Sequence, residues 1–223
     1  MSGTTWNQPA GPAEGLRERK KRQTRRHIAD VAMGLFQRHG YSEVTMAEVA
    51  RHADVSVNTV YNYFASKEDL FFDREEEVVD RLAAMVRERR VGESAARAVL
   101  RTLREQVAAR DEALGLRSEF REFLRMLTEN PTLSAKAHAI GVKACEKLRV
   151  ELTEEMGAGP DDPTPGLVAS QLGWVHQVIS RTAAHLLMAG NDPDAVAERL
   201  LRSLDVIEGL LGERALEYAI RES

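Results

Sequence analysis

Arg51 to Phe64 constrains the fold of this chain more than any other segment, because a helix end, a short turn and a second helix start follow one another without a gap. The helix before the turn is predicted to begin at Thr45, where Thr45 to Glu48 fits a capping box. In that motif the Thr hydroxyl accepts from the Glu48 amide, and the Glu48 carboxylate reaches back to the Thr45 amide. Val44 and Val49 occupy the flanking staple positions. This helix should stop near Ala53, because Asp54 adopts the left-handed conformation more readily than most residues. Ser56 then caps the next helix, with Val55 and Val60 as its staple. Two short helices joined by about three or four residues form the unit that lays its second helix in a DNA major groove.

One helix earlier, Ile28, Val31, Ala32, Leu35, Phe36 and His39 recur on a single helical stripe, and Gly40 supplies the left-handed residue that ends it. Upstream of that stripe Arg17, Arg19, Lys20, Lys21, Arg22, Arg25 and Arg26 stand against Glu18 alone, an excess of six positive charges. Such a run displaces counterions from phosphates and gives affinity that falls steeply with salt. On the helix after the turn, Val60 and Phe64 share the inner side with Val57 at its edge, while Asn58 and Asn62 point outward beside Thr59 and Tyr61. A merely solvated face would carry Lys and Glu. Asn can bond adenine N6 and N7, and Val or Thr methyls can touch the thymine methyl. Tyr61, Tyr63 and Lys67 suit phosphate oxygens, which fix register without reading sequence.

Residues 22 to 70, with Gly40-Tyr41 before Val44-Thr45, an acid at Glu48, Ala53 to Ser56 at the turn, Val60 to Phe64 and then Ser66 to Leu70, resemble the DNA-binding domain of the tetracycline-repressor (TetR) family of bacterial transcription regulators. Family members usually have Gly where this chain has Asp54. The resemblance implies that Thr45 is a phosphate-contacting cap, that Val57, Asn58 and Thr59 read bases, and that Tyr61, Tyr63 and Lys67 contact the backbone. With Arg25, Arg26, Ser56 and Asn62 these make up the candidate DNA-binding residues. The domains expected are a disordered basic tail over 1–20, a helix-turn-helix domain over 21–70 and a helical ligand-binding and dimerisation domain over 71–223.

The net charge of −4 hides an asymmetry: residues 1–70 carry an excess of two positive charges and the remainder an excess of six negative ones. Overall acidity therefore does not argue against DNA. Cys145 is the only cysteine, which excludes an intrachain disulfide and suits a reducing cytoplasm; a small buried hydrophobe is the favoured reading of it. The most apolar stretch, Leu167 to Ala189, contains His176, Gln177, Arg181 and His185, so a buried helix is expected and no membrane span.

Beyond Leu70 the pattern is helical throughout: about 67–90, 94–110, 113–128, 133–156, 167–189 and 193–211, broken at Asn130-Pro131, Gly157 to Gly166 and Gly190 to Pro193. The predicted fold is all-α. Ala195, Val196, Arg199, Leu200, Ser203, Leu204, Ile207 and Leu211 form one apolar stripe, and Leu172, Val175, Ile179, Leu186 and Leu187 part of another. The family resemblance implies that these two helices pair with a second copy as a homodimer on a palindromic operator in double-stranded DNA, and that a small molecule binds the C-terminal domain. Phe120, Phe123, Met126, Trp174 and His176 are the candidate lining of that ligand site, each also suited to ordinary core. No cofactor, metal site or catalytic residue is expected: the six His are dispersed, and zinc pair, phosphate loop and nucleophile elbow are all missing from the sequence. A dimeric repressor released by its ligand is the function expected. An activator of the same family and a non-specific DNA-binding protein are the alternatives, and the amide-rich outer face of the helix after the turn favours sequence-specific reading over the latter.

Overall fold

The computed structural model describes residues 15–111, 114 and 120–222. Every regular element among them is helical, as expected, and the contacts divide the chain into two compact units between Asp73 and Arg74.

The first unit contains α1 (Leu16–His39), α2 (Met46–His52), α3 (Val57–Tyr63) and α4 (Lys67–Phe71). The basic run lies on α1 itself, so the tail expected over 1–20 is already helical at Leu16; the rest of it, through residue 14, falls outside the described residues. Ile28, Ala32, Leu35 and Phe36 are buried as the stripe requires. His39 is exposed instead, because its polar ring at the last residue of the helix stays in solvent. Gly40 has φ 85° with ψ 148°, so it ends the helix in an extended conformation reserved for glycine rather than in the left-handed helical one. Phe36, Tyr41 and Phe71 then pack in tilted and edge-to-face contacts with ring centroids 5.1 to 6.2 Å apart, welding α1 to α4.

The second unit contains α5 (Glu75–Arg87), α6 (Ala95–Ala109), α7 (Phe120–Glu129), α8 (Pro131–Glu155), α9 (Thr164–Met188), α10 (Pro193–Leu210) and α11 (Glu213–Leu216). The helix predicted over 67–90 is interrupted at residues 72–74. No Gly or Pro marks the break; Phe71 must turn into the aromatic core of the first unit, whereas α5 packs along α8.

Charge pairs set the register of α5 on α8. Glu75 meets Lys136 and Lys143, Asp80 meets Lys147, Arg87 meets Glu151, and the buried Arg89 meets Glu155. The partners advance together along both helices, so the two run parallel. The C-terminal segment crosses the α5–α6 connection: Arg221 donates to the carbonyls of Arg87 and Arg89, and Arg89 donates to that of Ala219. Elsewhere α8 approaches α9 where Gly173 faces Cys145; a Cβ at Gly173 would lie 2.2 Å from Sγ. The Cys145 thiol is half-buried and pushed up by desolvation.

Val196, Leu200, Leu204, Ile207, Leu172, Val175 and Ile179 are all buried in one core with α5, α6 and α8. Each fully buried aliphatic side chain stabilises by about 1.5–3 kcal/mol. The two stripes, which the sequence leaves open between a dimer face and the unit's own core, thus belong to that core. Among the described residues no helix is long and apolar enough to cross a membrane.

Lys143 and Lys136 hold the Glu75 carboxyl below the ordinary glutamate range, and Lys147 and Arg87 do the same for Asp80. A depressed carboxylate pKa stabilises above the unfolded-state value, about 4, and that contribution disappears as pH falls through the folded value. The double variant Glu75→Gln, Asp80→Asn is therefore expected to melt below the wild type at pH 7, and the gap in melting temperature to narrow as pH falls below about 4. Calorimetric melting across that range checks this.

Candidate nucleic-acid interface

The face of α3 is set by caps on both sides of the turn. Thr45 Oγ1 accepts from the Glu48 amide at 3.2 Å, while Glu48 Oε2 accepts from the Thr45 amide at 2.8 Å and from its hydroxyl at 2.9 Å. Those bonds hold the exposed Glu48 carboxyl below the usual glutamate range. After α2, Asp54 has φ 53°, and the Val55 amide donates back to the Ala50 carbonyl at 3.0 Å, closing a Schellman motif. Ser56 Oγ accepts from the Thr59 amide at 3.0 Å, and the two hydroxyls lie 2.8 Å apart. Asp54 therefore supplies the left-handed conformation that this turn requires.

With that turn in place, Val60 and Phe64 are buried and Val57, Asn58, Tyr61 and Asn62 are exposed; Thr59 and Tyr63 are intermediate. Among the described residues, no hydrogen bond occupies the side chain of Asn58, Tyr61, Asn62 or Tyr63. The arrangement presents two amides, a phenol and a branched methyl pair to solvent on one short helix. It can bond base edges and phosphates at once. Arg26, on the exposed side of α1, adds a positive charge outside the core.

Two residues expected at phosphates have other work. Lys67 Nζ donates to the carbonyls of Tyr41 at 2.8 Å, Val44 at 3.0 Å and Ser42 at 3.3 Å, and sits 4.3 Å from the centroid of the Tyr41 ring. An ammonium has three donors, and all three are engaged. Desolvation pulls its pKa below the ordinary lysine value, against the opposing pull of Glu68 and Glu43. Arg25 donates to the carbonyls of Tyr63 at 2.8 Å and Asp73 at 3.3 Å, and its guanidinium lies 4.4 Å from the centroid of the Phe64 ring. It caps the C-terminal end of α3. Sequence reasoning assigned both by charge; what it missed was the free carbonyls that short helices and tight loops leave for a cation to satisfy. A second capping box, Ser66 with Asp69, starts α4 and was legible by the rule that found Thr45.

The ligand-site candidates are not gathered in one place. Met126 is buried, Phe123 packs partly buried against the core of the second unit, and His176 is partly buried with its Nε2 shielded from solvent. Trp174 is 48% exposed, on the outer stripe of α9 with Leu167, Gln171 and Arg181, so it is not core lining. The Phe120 side chain falls outside the described residues.

Residues 28–73 match the family model for bacterial regulatory proteins of the tetR family. Over 215 residues the chain is 27% identical to the HTH-type transcriptional regulator TcmR of Streptomyces glaucescens, covering 91% of this chain and 89% of that protein. It is 46% identical over 55 residues to the HTH-type transcriptional repressor KstR of Mycobacterium tuberculosis, covering 25% of this chain and 23% of KstR. Among solved structures, NalD of Pseudomonas aeruginosa, the secondary repressor of the MexAB-OprM multidrug efflux pump, aligns with a TM-score of 0.53 at 19% identity, covering 84% of this chain and 96% of NalD. This last likeness is one of fold.

Lys67→Met, which keeps the stem and removes the ammonium, is expected to destabilise the first unit by about 1–3 kcal/mol by leaving carbonyls unpaired, with the salt dependence of DNA binding unchanged. Arg26→Gln should do the reverse, flattening the slope of log K against log[salt] by about 1 with no loss of stability. Chemical unfolding and salt-dependent binding titrations separate the two.

Proposed function

We propose that this chain, whose residues 28–73 match the tetR family of bacterial regulatory proteins, is a cytoplasmic transcriptional repressor that reads a palindromic operator as a homodimer and leaves it when a small molecule binds the second unit. The observation that carries the DNA reading is the exposed face Val57, Asn58, Tyr61 and Asn62, held outward by the burial of Val60 and Phe64. Repression is supported by KstR, a transcriptional repressor to which this chain is 46% identical over 55 residues. In this reading Asn58 contacts a base in each half-site, with Val57, Thr59 and Asn62 beside it. Thr45, Ser56, Tyr61, Tyr63 and Arg26 meet the backbone, and Arg25 and Lys67 act only by positioning α2 and α3.

Asn58→Ala is expected to weaken binding to the best duplex selected from a random pool by about 1–3 kcal/mol and to relax preference at one position of each half-site. Repeating the selection with the variant reads both effects. An unchanged ranking of duplexes removes Asn58 from base reading.

Support for the homodimer comes from apolar groups the monomer leaves in solvent. Leu167 near the start of α9 and Trp174 near its middle are 62% and 48% exposed, and Val206 and Leu210 near the end of α10 are 63% and 73% exposed. The short connection at 189–192 folds α10 back along α9, which brings these two ends together. Between Leu167 and Met188 the outer stripe of α9 carries Arg181 as its one formal charge. A second copy meeting this end across a two-fold axis buries all four groups and sets two α3 helices about 34–36 Å apart on the DNA, or a multiple of that. Val206→Glu with Leu210→Glu should yield a folded monomer by sedimentation, whereas Leu204→Glu should unfold the second unit, since Leu204 is fully buried. A wild-type monomer at micromolar concentration counts against the dimer.

A further inference from the structure

Residues 15–23 are all exposed, and α1 first enters the packing of its unit through Arg25 and the buried Ile28. The first two turns of α1, residues 16–23, therefore stand clear of the helical body over about 12 Å, at 1.5 Å per residue. They also precede the stretch that matches the family model, which begins at residue 28.

Among the described residues, little favours a helix at this place. Gly15 at its start makes no side-chain cap bond. Arg17 with Lys21, and Lys21 with Arg25, set like charges four residues apart, which is unfavourable on a helix. Cations in the first turns also oppose the helix macrodipole. Arg17, Arg19, Lys20 and Lys21 have no ion pair among the described residues. At about 100° per residue these four point around the helix at roughly 0, 200, 300 and 40°, so positive charge surrounds the axis instead of forming one face.

That distribution selects the partner. A membrane-surface helix needs an apolar face, and Leu16 is the single apolar residue among 16–23. An acidic patch on a protein meets one side of a helix only. Duplex DNA carries one charge per about 1.7 Å of axis, on two strands that flank a groove wide enough to admit a helix. Arg25 anchors the base of the overhang to the Tyr63 carbonyl, at the C-terminal end of α3, so the overhang starts beside the reading helix.

Resting on the DNA-binding reading above, we propose that residues 16–23 are a sequence-independent DNA arm, in which Arg17, Arg19, Lys20 and Lys21 meet phosphates of both strands next to those under α3. The polyanion offsets the repulsion that the arm carries when free. Two tasks are then separated: α3 selects the site, and the arm supplies affinity for any duplex.

The test uses the full-length protein, its quadruple variant Arg17→Gln, Arg19→Gln, Lys20→Gln, Lys21→Gln, and two duplexes of equal length and composition, the best one selected from a random pool and its scramble. Binding is titrated between about 50 and 200 mM salt. The variant is expected to bind both duplexes about 10-fold or more weakly, by the same factor for each, and to flatten the slope of log K against log[salt] by about 3–4 for each arm. Without DNA it should melt at the wild-type temperature or above it, since like charges have been removed. Amide hydrogen exchange reads the arm itself: residues 16–23 of the wild type should be slowed as much by the scrambled duplex as by the selected one. An unchanged salt slope overturns the proposal, as does exchange at 16–23 that neither duplex slows. A loss confined to the selected duplex also overturns it, because the arm would then read bases, and anionic lipid vesicles that slow 16–23 more than either duplex would assign the arm to a membrane instead. A wild type that binds both duplexes equally defeats operator reading and leaves the arm standing. An unchanged slope in the variant, beside a wild type that prefers its selected duplex, defeats the arm alone; a wild type that binds neither duplex defeats both.

Discussion

Two cations bonded to backbone carbonyls hold the first unit in its working shape. α2 and α3 have 7 residues each, too few to persist alone in water, so their ends must be supplied with partners from elsewhere. Lys67 satisfies three carbonyls of the α1–α2 connection and thereby fixes where Thr45 starts α2. Arg25 satisfies the Tyr63 carbonyl at the end of α3 and leans on Phe64, whose burial decides which side of α3 faces out. The amide-rich surface of α3 is a consequence of those contacts. Its chemistry comes from Asn58, Asn62 and Tyr61, but its direction comes from residues that touch no DNA in the proposed role.

The second unit applies the same economy of donors on a larger scale. Glu75, Asp80 and Arg87 of α5 pair with charges along α8, and Arg89, although buried, has its guanidinium shared among the Val86 and Ala219 carbonyls and Glu155. Against that background of paired ions, three buried polar atoms have no hydrogen-bond partner among the described residues: Gln106 Oε1 on α6, and His176 Nε2 and Ser180 Oγ on α9.

Much of this was legible before any coordinates. The capping boxes, the left-handed Asp54, the staple valines and the inward Val60 and Phe64 all follow from short-range rules, because their partners lie within about one helical turn. The contacts that sequence did not foresee share one cause. Arg25 and Lys67 carry charge in the sequence, but the carbonyls they meet are 23 to 48 residues away along the chain. Leu204 and Trp174 were both apolar residues on long helices. Periodicity placed each on a stripe without saying which stripe meets the core and which meets solvent.

The sequence by itself determined that the chain is all-helical, that it carries a helix-turn-helix near its start, and which amino acids cover the outer side of α3. Each of these depends on backbone preferences, caps and a 3.6-residue period, which act over a few residues. Only the tertiary structure decided that α4 and α5 are separate helices, that the α9 and α10 stripes are core, that Trp174 is outside, and that Gln106 and the His176–Ser180 pair lie on helices packed together. Those outcomes depend on which helix faces turn toward one another, and burial, ion pairing and the desolvation of polar atoms act through space, between residues far apart in the chain.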